Sequence, residues 1–143
     1  MRAITRIVLH TDGPCDSNGA AMAGTDHPAS TIRVGHLARG FRDFGYHAVV
    51  RRDGSIELGR PLEQEGAHVQ GHNADSIGIV CTGNGDVEPW TPEQFASVLW
   101  LCRVFMAAYS VPVSGVVGHR EIPEVVKSCP GLLVDPAAIR GAL

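Results

Sequence analysis

The stretch Ile4-Thr5-Arg6-Ile7-Val8-Leu9-His10, ITRIVLH, decides the fold of this chain. The run from Ile4 to Leu9 is short, apolar and rich in β-branched residues, which is typical of a buried strand. His10 stands at the carboxyl end of that run. Side chains at the ends of neighbouring buried strands often converge, so His10 is the first candidate for a functional site.

Further strand patterns follow along the chain. Gly45 to Arg51 and Ile56 to Leu58 are typical of two strands joined by the hairpin turn Arg52-Asp53-Gly54-Ser55. Ser76 to Thr82 is a second buried run, and Val113 to Val117 leads into a last core strand.

Helical signals separate these strands. Ser30 or Thr31 is expected to cap a short helix that ends near Phe41. Thr91-Pro92-Glu93-Gln94 has the signature of a capping box with proline at the first helical position, and Asp135-Pro136 begins a short closing helix. The alternation predicts an α/β fold: a single domain over residues 1–143 with a central mixed β-sheet flanked by helices.

Composition narrows the class of protein. The formal net charge is -3, which gives no electrostatic case for nucleic-acid binding, since that would call for a basic face. No segment reaches the roughly 20 apolar residues that span a membrane, and the amino terminus lacks the apolar run of a signal peptide. We therefore expect synthesis in the cytoplasm, no membrane insertion and a monomer.

The four cysteines include no CxxC pair and do not indicate a disulfide framework. Cys81 and Cys102 lie in apolar patterns and are expected in the core. Cys129 differs, because it lies in a turn-rich loop beside Lys127 and ten residues after His119.

His10, His119 and Cys129 are the candidates for a metal site. Two imidazoles and a thiolate form a three-ligand zinc set whose fourth position is open to water, which is typical of a catalytic site. The residues alone leave a second interpretation open, in which a hydrogen-bonded histidine ends the strand and the thiol is simply buried.

Five segments carry a resemblance to a known family. They are Ile7-Val8-Leu9-His10, Gly45-Tyr46-His47 with Arg52-Asp53-Gly54, Gly66-Ala67-His68, Asn73 with Ser76-Ile77-Gly78, and His119 with Lys127-Ser128-Cys129-Pro130-Gly131. In this order they resemble the zinc-dependent N-acetylmuramoyl-L-alanine amidases, the superfamily of amidase-type phage lysozymes and peptidoglycan recognition proteins. The resemblance covers nearly the whole chain.

The resemblance implies an activity and a role for each site residue. His10, His119 and Cys129 would hold one zinc ion, and Tyr46 and Lys127 would be catalytic. His68 and Asn73 would contact the substrate. The implied reaction is hydrolysis of the amide between N-acetylmuramic acid and L-alanine in peptidoglycan, by a phage or prophage endolysin that acts on the cell wall after release or export.

Other interpretations stay open at this stage. The domain could bind muropeptides without cutting them, although non-catalytic relatives lack the cysteine ligand. A purely structural zinc would have its fourth position filled by Cys15, Asp12 or His68. A cell-wall recycling amidase or an exported effector amidase would have the same layout.

The remaining histidines are expected to be structural or exposed. His47 follows Tyr46 directly and would face the opposite side of a strand. His27, His36 and His72 are expected at the surface. Asp12 is predicted to form a turn, with a possible contact to the imidazole of His10 as the alternative.

Overall fold

A computed structural model describes all 143 residues of the chain. Its five strands are β1 (Arg6–Thr11), β2 (Ala48–Val50), β3 (Ile56–Leu58), β4 (Ser76–Cys81) and β5 (Val116–Gly118). Its helices are α1 (Ala29–Ala38), α2 (Pro92–Tyr109) and α3 (Pro136–Gly141), and two short 3-10 helices cover Val113–Gly115 and His119–Glu121.

The strands form one mixed sheet in the order β3-β2-β4-β1-β5. β1 lies in the interior of the sheet and pairs in parallel with both β4 and β5. β2 pairs in parallel with β4 and antiparallel with β3, through the predicted hairpin. The predicted α/β fold with a central mixed sheet is confirmed.

Side-chain alternation gives β1 two different faces. Ile7 and Leu9 are fully buried in the main core, which contains Val98 and Cys102 of α2. Val8 points to the other face, where it packs in a small separate cluster. His10 therefore lies on the face opposite α2, beyond the carboxyl end of the buried run.

Helix α1 covers part of that second face through Ile32, which packs with Phe44, Val49 and Val80. Its amino terminus differs from the prediction. Neither Ser30 nor Thr31 caps the helix; it begins after Pro28, and the first backbone N–H, of Ala29, donates to the Glu57 carboxylate of β3 at 2.9 Å. A negative charge is stabilising there because it complements the helix dipole.

Helix α2 begins as predicted, with a capping box formed by Thr91 and Gln94. No helix in the structure is both long and apolar enough to cross a membrane.

Gln94 also connects α2 to the ends of two strands. Its side chain is completely buried. Its Nε2 donates to the carbonyls of Val50 and Thr82 at 3.2 and 3.0 Å, and its Oε1 accepts from the Thr91 N–H and from Arg52 Nη1 at 3.1 and 3.0 Å. All four hydrogen-bonding positions of the amide are thus used, as a buried polar group requires.

We predict that Gln94→Leu destabilises the protein by about 3 kcal/mol, because it leaves several buried polar groups without partners. Urea unfolding monitored by circular dichroism measures the change. Gln64→Leu, at an exposed side chain, is the control. Equal stability of the two variants would show that Gln94 does not hold α2 against the sheet.

Candidate metal centre and active site

His10 is 1% exposed and lies at the end of β1. Its two ring nitrogens have different surroundings. Nδ1 lies 3.6 Å from the Sγ of Cys129, and Nε2 lies 2.9 Å from the Nδ1 of His68. The Nδ1 of His10 therefore faces Cys129, and its Nε2 is in hydrogen-bond contact with His68.

His119 reaches the same place because of the sheet register. Leu9 of β1 pairs with Gly118 of β5, so the residues that follow them, His10 and His119, lie side by side. The two imidazole centroids are 4.6 Å apart. His119 opens a 3-10 helix and is 8% exposed.

Cys129 is brought back to the strand ends by the loop after His119. Arg120 fixes this loop: its backbone N–H donates to the Cys129 carbonyl at 2.7 Å. The Arg120 guanidinium donates to three more carbonyls, those of Ser128, Gly131 and Val134, at 3.1, 2.6 and 2.6 Å. The Thr11 N–H points at the Cys129 sulfur at 3.4 Å, which favours a thiolate there.

Together these three residues form a group able to hold a metal ion. One ligand atom each from His10, His119 and Cys129 lie within 4.8 Å of one another. Burial lowers the pKa of His119 to about 4 and that of His10 well below its ordinary value. Both imidazoles are therefore neutral near pH 7, and a neutral imidazole has the lone pair that a metal needs.

The Cys129 thiol has the opposite tendency. Burial raises its pKa to about 11, against the lowering effects of the Thr11 N–H and the Lys127 charge. Metal binding would therefore release a proton from this thiol.

Tyr46 lies immediately beside the group. Its ring centroid is 5.0 Å from that of His10 and 5.3 Å from that of His36. Burial raises the pKa of the phenol above its ordinary value, so the hydroxyl keeps its proton at neutral pH.

Lys127 is exposed and lines the cleft that contains His10, His119 and Cys129. It is the single lysine among the 12 Lys and Arg residues of the chain. Its charge is close enough to lower the pKa values of His10 and His119, although burial is the larger cause in both cases.

The ligand group lies in a cleft with two arms. The first arm, of about 1020 Å³, extends over residues 11–15 and α1. The second arm, of about 790 Å³, runs between residues 69–73 and residues 123–126. Both arms are lined by His68, His119 and Lys127, so the ligand group lies where they meet.

His68 and Asn73 border the second arm. Both His68 ring nitrogens and the Asn73 side-chain oxygen are engaged within the protein. His68 Nε2 lies 3.2 Å from the Ser76 hydroxyl, and Asn73 Oδ1 accepts from the backbone N–H groups of His68 and Val69 at 2.9 Å each. Substrate contact by His68 and Asn73 stays a prediction.

The other histidines correct part of the sequence interpretation. His36 is not at the surface; it is buried, stacks on Phe44 and accepts from the Gly45 N–H at 2.9 Å. His47 is structural as expected, since its Nδ1 accepts from the Gly78 N–H of β4 at 3.0 Å.

Asp12 does not touch His10. It pairs with His27, whose Nδ1 is 3.0 Å from the Asp12 carboxylate. Cys15 is exposed, and neither it nor Asp12 or His68 belongs to the ligand group. The structure thus does not supply the fourth protein ligand that a closed structural site would need.

Sequence reasoning missed Arg120, which has no ligand or catalytic chemistry of its own. Its position directly after His119 was the only available signal. The carbonyls that it binds belong to a loop whose path the sequence does not reveal.

These features define a single α/β unit with a three-residue group able to hold a metal ion, in a two-armed cleft at the ends of parallel strands. The Amidase_2 family model, described as N-acetylmuramoyl-L-alanine amidase, matches residues 1–132. The chain belongs to this family, and the predicted enzyme class is confirmed.

Individual relatives agree with this assignment. The endolysin of Enterobacteria phage K11 is 31% identical over 116 residues, which cover 78% of this chain and 74% of the relative. The endolysin amidase LysCS from Clostridium intestinale is 30% identical with a TM-score of 0.83, over 99% of this chain and 84% of that one. The bumblebee recognition protein PGRP-SA shares the fold, with a TM-score of 0.81 at 22% identity, over 100% of this chain and 84% of its own.

We predict that Arg120→Lys weakens both the fold and the metal site. A lysine cannot reproduce the planar fork that serves three carbonyls, so stability should fall by roughly 2 kcal/mol and Co²⁺ affinity by about tenfold. Thermal unfolding and the visible absorption of bound Co²⁺ measure the two effects. Arg103→Lys is the control, because the Arg103 guanidinium bonds a carbonyl of the carboxyl-terminal segment. Unchanged Co²⁺ affinity would show that Arg120 does not position Cys129.

Proposed function

We propose that the chain is a zinc-dependent amidase that cuts the bond between the lactyl group of N-acetylmuramic acid and L-alanine in peptidoglycan. The observation that carries the proposal is the meeting of His10, His119 and Cys129 at the centre of the cleft, with Tyr46 and Lys127 beside them. Membership of the N-acetylmuramoyl-L-alanine amidase family supports the choice of this bond as the scissile one.

The donor set fits zinc. Nitrogen and sulfur ligands in a tetrahedral site have bond lengths of about 2.0 and 2.3 Å, which places the two ligand atoms roughly 3.6 Å apart. The Nδ1 of His10 and the Sγ of Cys129 are 3.6 Å apart. Soft thiolate and imidazole ligands also disfavour Mg²⁺ and Ca²⁺, which prefer oxygen. When bound, zinc supplies a Lewis acid that polarises a carbonyl and makes water acidic enough to act near pH 7.

Lys127 supplies positive charge where an amide carbonyl would become negative. Of the 12 Lys and Arg residues of the chain, eleven are arginines and only Lys127 is a lysine. A compact ammonium on a flexible stem approaches an oxyanion as a point charge and, unlike guanidinium, can also give up a proton. Stabilisation of this kind is commonly worth about 3 kcal/mol per donor.

Tyr46 holds a neutral hydroxyl beside His10. Its ring is packed against His10 and His36, so its orientation is restricted before the substrate arrives. The hydroxyl can donate a hydrogen bond to the developing oxyanion or a proton to the leaving amine. Tyr46 and Lys127 are thus the two candidates for the proton donor.

The two-armed cleft suits a substrate with two chemically different parts. The scissile amide would lie over the ligand group where the arms meet, with the sugar in one arm and the stem peptide in the other. His68 and Asn73 are proposed to border the substrate in the second arm.

The biological role that we propose is that of a phage or prophage endolysin acting on the cell wall after release. The similarity to the phage K11 endolysin supports it. We propose that a single copy of the domain is active, because all of the proposed site residues lie on one chain.

The first experiment is a digest of purified peptidoglycan, with the products identified by mass spectrometry. The zinc-loaded protein should release free stem peptides that begin at L-alanine, and a chelator should abolish the release. Intact peptidoglycan with measurable binding would instead identify a recognition module.

Cys129→Ser should lose most of its zinc and its activity, because a neutral hydroxyl is a far weaker zinc ligand than a thiolate. Metal content after dialysis and the digest measure both effects. Cys102→Ser is not a suitable control because Cys102 is in the core; Cys15→Ser, at an exposed thiol, is matched and should behave as the parent protein. Full zinc content in Cys129→Ser would contradict the ligand assignment.

Lys127→Ala should keep its zinc and lose roughly 100-fold in kcat, the effect expected for removal of one oxyanion donor. Lys127→Arg separates the two roles of the ammonium. Recovery of most of the rate with arginine indicates charge stabilisation and leaves Tyr46 as the proton donor, whereas no recovery indicates proton transfer by Lys127. Normal hydrolysis by Lys127→Ala would remove this residue from the mechanism.

A further inference from the structure

His10 is connected to a chain of hydrogen bonds that runs away from the cleft. His10 Nε2 lies 2.9 Å from His68 Nδ1, and His68 Nε2 lies 3.2 Å from the Ser76 hydroxyl. The Ser76 hydroxyl lies 2.6 Å from the backbone carbonyl of His72. His10, His68 and Ser76 are all buried.

The end of this chain determines the direction of every bond in it. A carbonyl oxygen only accepts, so Ser76 uses its single hydroxyl hydrogen on the His72 carbonyl. The Ser76 oxygen can then only accept from His68, which places the His68 hydrogen on Nε2. A neutral His68 consequently has a lone pair on Nδ1 and must accept from His10 Nε2–H.

The same reasoning fixes the tautomer of His10. With its hydrogen on Nε2, a neutral His10 carries its lone pair on Nδ1. This is the nitrogen that lies 3.6 Å from the Cys129 sulfur. The opposite tautomer would aim an N–H at the ligand group and could not bind a metal there.

We propose that His68 and Ser76 are positioning residues that lock His10 in the tautomer and orientation required of a metal ligand. The inference rests on the proposed role of His10 in holding zinc. It assigns to His68 a role exerted through His10.

Two neighbouring glycines and Asn73 determine the position of the His68 ring. The ring lies over Gly78 of β4, where a Cβ atom would be 2.7 Å from the His68 Cγ. A Cβ atom at Gly66 would be 2.6 Å from the His68 Cδ2. Two glycines thus leave the space that the ring fills, and Asn73 Oδ1 accepts a hydrogen bond from the backbone N–H of His68.

The chain ends on a backbone carbonyl. Metal-bound histidines commonly donate their second N–H to a carboxylate, a carbonyl or water, and such partners matter for affinity. Here the neutral imidazole of His68 accepts that N–H, and the Ser76 hydroxyl fixes the tautomer of His68. Ser76 therefore controls a ligand that it does not touch.

The direct test is the tautomeric state of the wild-type protein, which needs no variant. Long-range proton–nitrogen NMR correlations on the full ¹⁵N-labelled chain distinguish the two neutral tautomers of each histidine. We expect His10 and His68 both to carry the hydrogen on Nε2, in the metal-free and in the zinc-loaded protein. A majority of either residue with its hydrogen on Nδ1 in the metal-free protein would overturn the proposal.

The second test is zinc affinity, measured by competition with a fluorescent chelator. Ser76→Ala removes the group that orients His68 and should weaken zinc binding roughly 10- to 100-fold, the range found for such partners. Gly78→Ala keeps every polar group but displaces the His68 ring, so it should weaken zinc binding as well. Saturating zinc should restore much of the hydrolysis in Ser76→Ala.

Thr82→Val is the matched control. It also removes a buried hydroxyl near β4, but this hydroxyl donates to Asp26 and lies outside the hydrogen-bond chain of His10, His68 and Ser76. Its zinc affinity should stay within about twofold of the wild type. Unchanged zinc affinity in folded Ser76→Ala would overturn the proposal.

The two proposals fail in distinguishable ways. If the wild type binds no zinc and cuts no peptidoglycan while the tautomers are as expected, the proposed function fails and the hydrogen-bond chain stands. If zinc binding and hydrolysis are normal but the tautomers differ from those expected, only the positioning role fails.

Discussion

The register between β1 and β5 is the constraint on which the rest of the site depends. Leu9 opposes Gly118, and the two strands run in the same direction, so the residues after them emerge at one edge of the sheet. That single pairing places His10 beside His119 although more than a hundred residues separate them. A buried face on either side of β1 specifies the pairing, because a slip by one residue would turn Leu9 out of the core.

Cys129 depends on a different kind of constraint. It follows no strand, so its position relies on the Arg120 guanidinium and on the four carbonyls that Arg120 binds through its side chain and backbone. The pairing of two strands, one loop and the guanidinium of Arg120 therefore together place the three candidate ligands. A substitution of Arg120 would displace the Cys129 sulfur, whereas a substitution of His10, His119 or Cys129 would remove a ligand atom.

Much of this arrangement could be predicted from local patterns. The buried runs at β1 and β4, the capping box of α2 and the hairpin after β2 are signals contained within a few neighbouring residues. The family resemblance added the order of the site residues. Burial of His36 and the capping of α1 by Glu57 were not predictable in this way. Both arise from contacts between α1 and segments that follow the helix, Phe44 and Gly45 in one case and Glu57 in the other, and such contacts leave no periodic trace in the sequence.

The wide spacing of His10, His119 and Cys129 along the chain has a consequence for assembly. The main core between the sheet and α2 contains none of these three side chains. An ion cannot gather ligands so far apart in an unfolded chain without closing very long loops, which costs conformational entropy. We therefore expect folding to precede any metal loading, the reverse of a zinc finger, in which the metal organises the polypeptide. Occupancy of such a group would then follow the free metal concentration around the already folded chain.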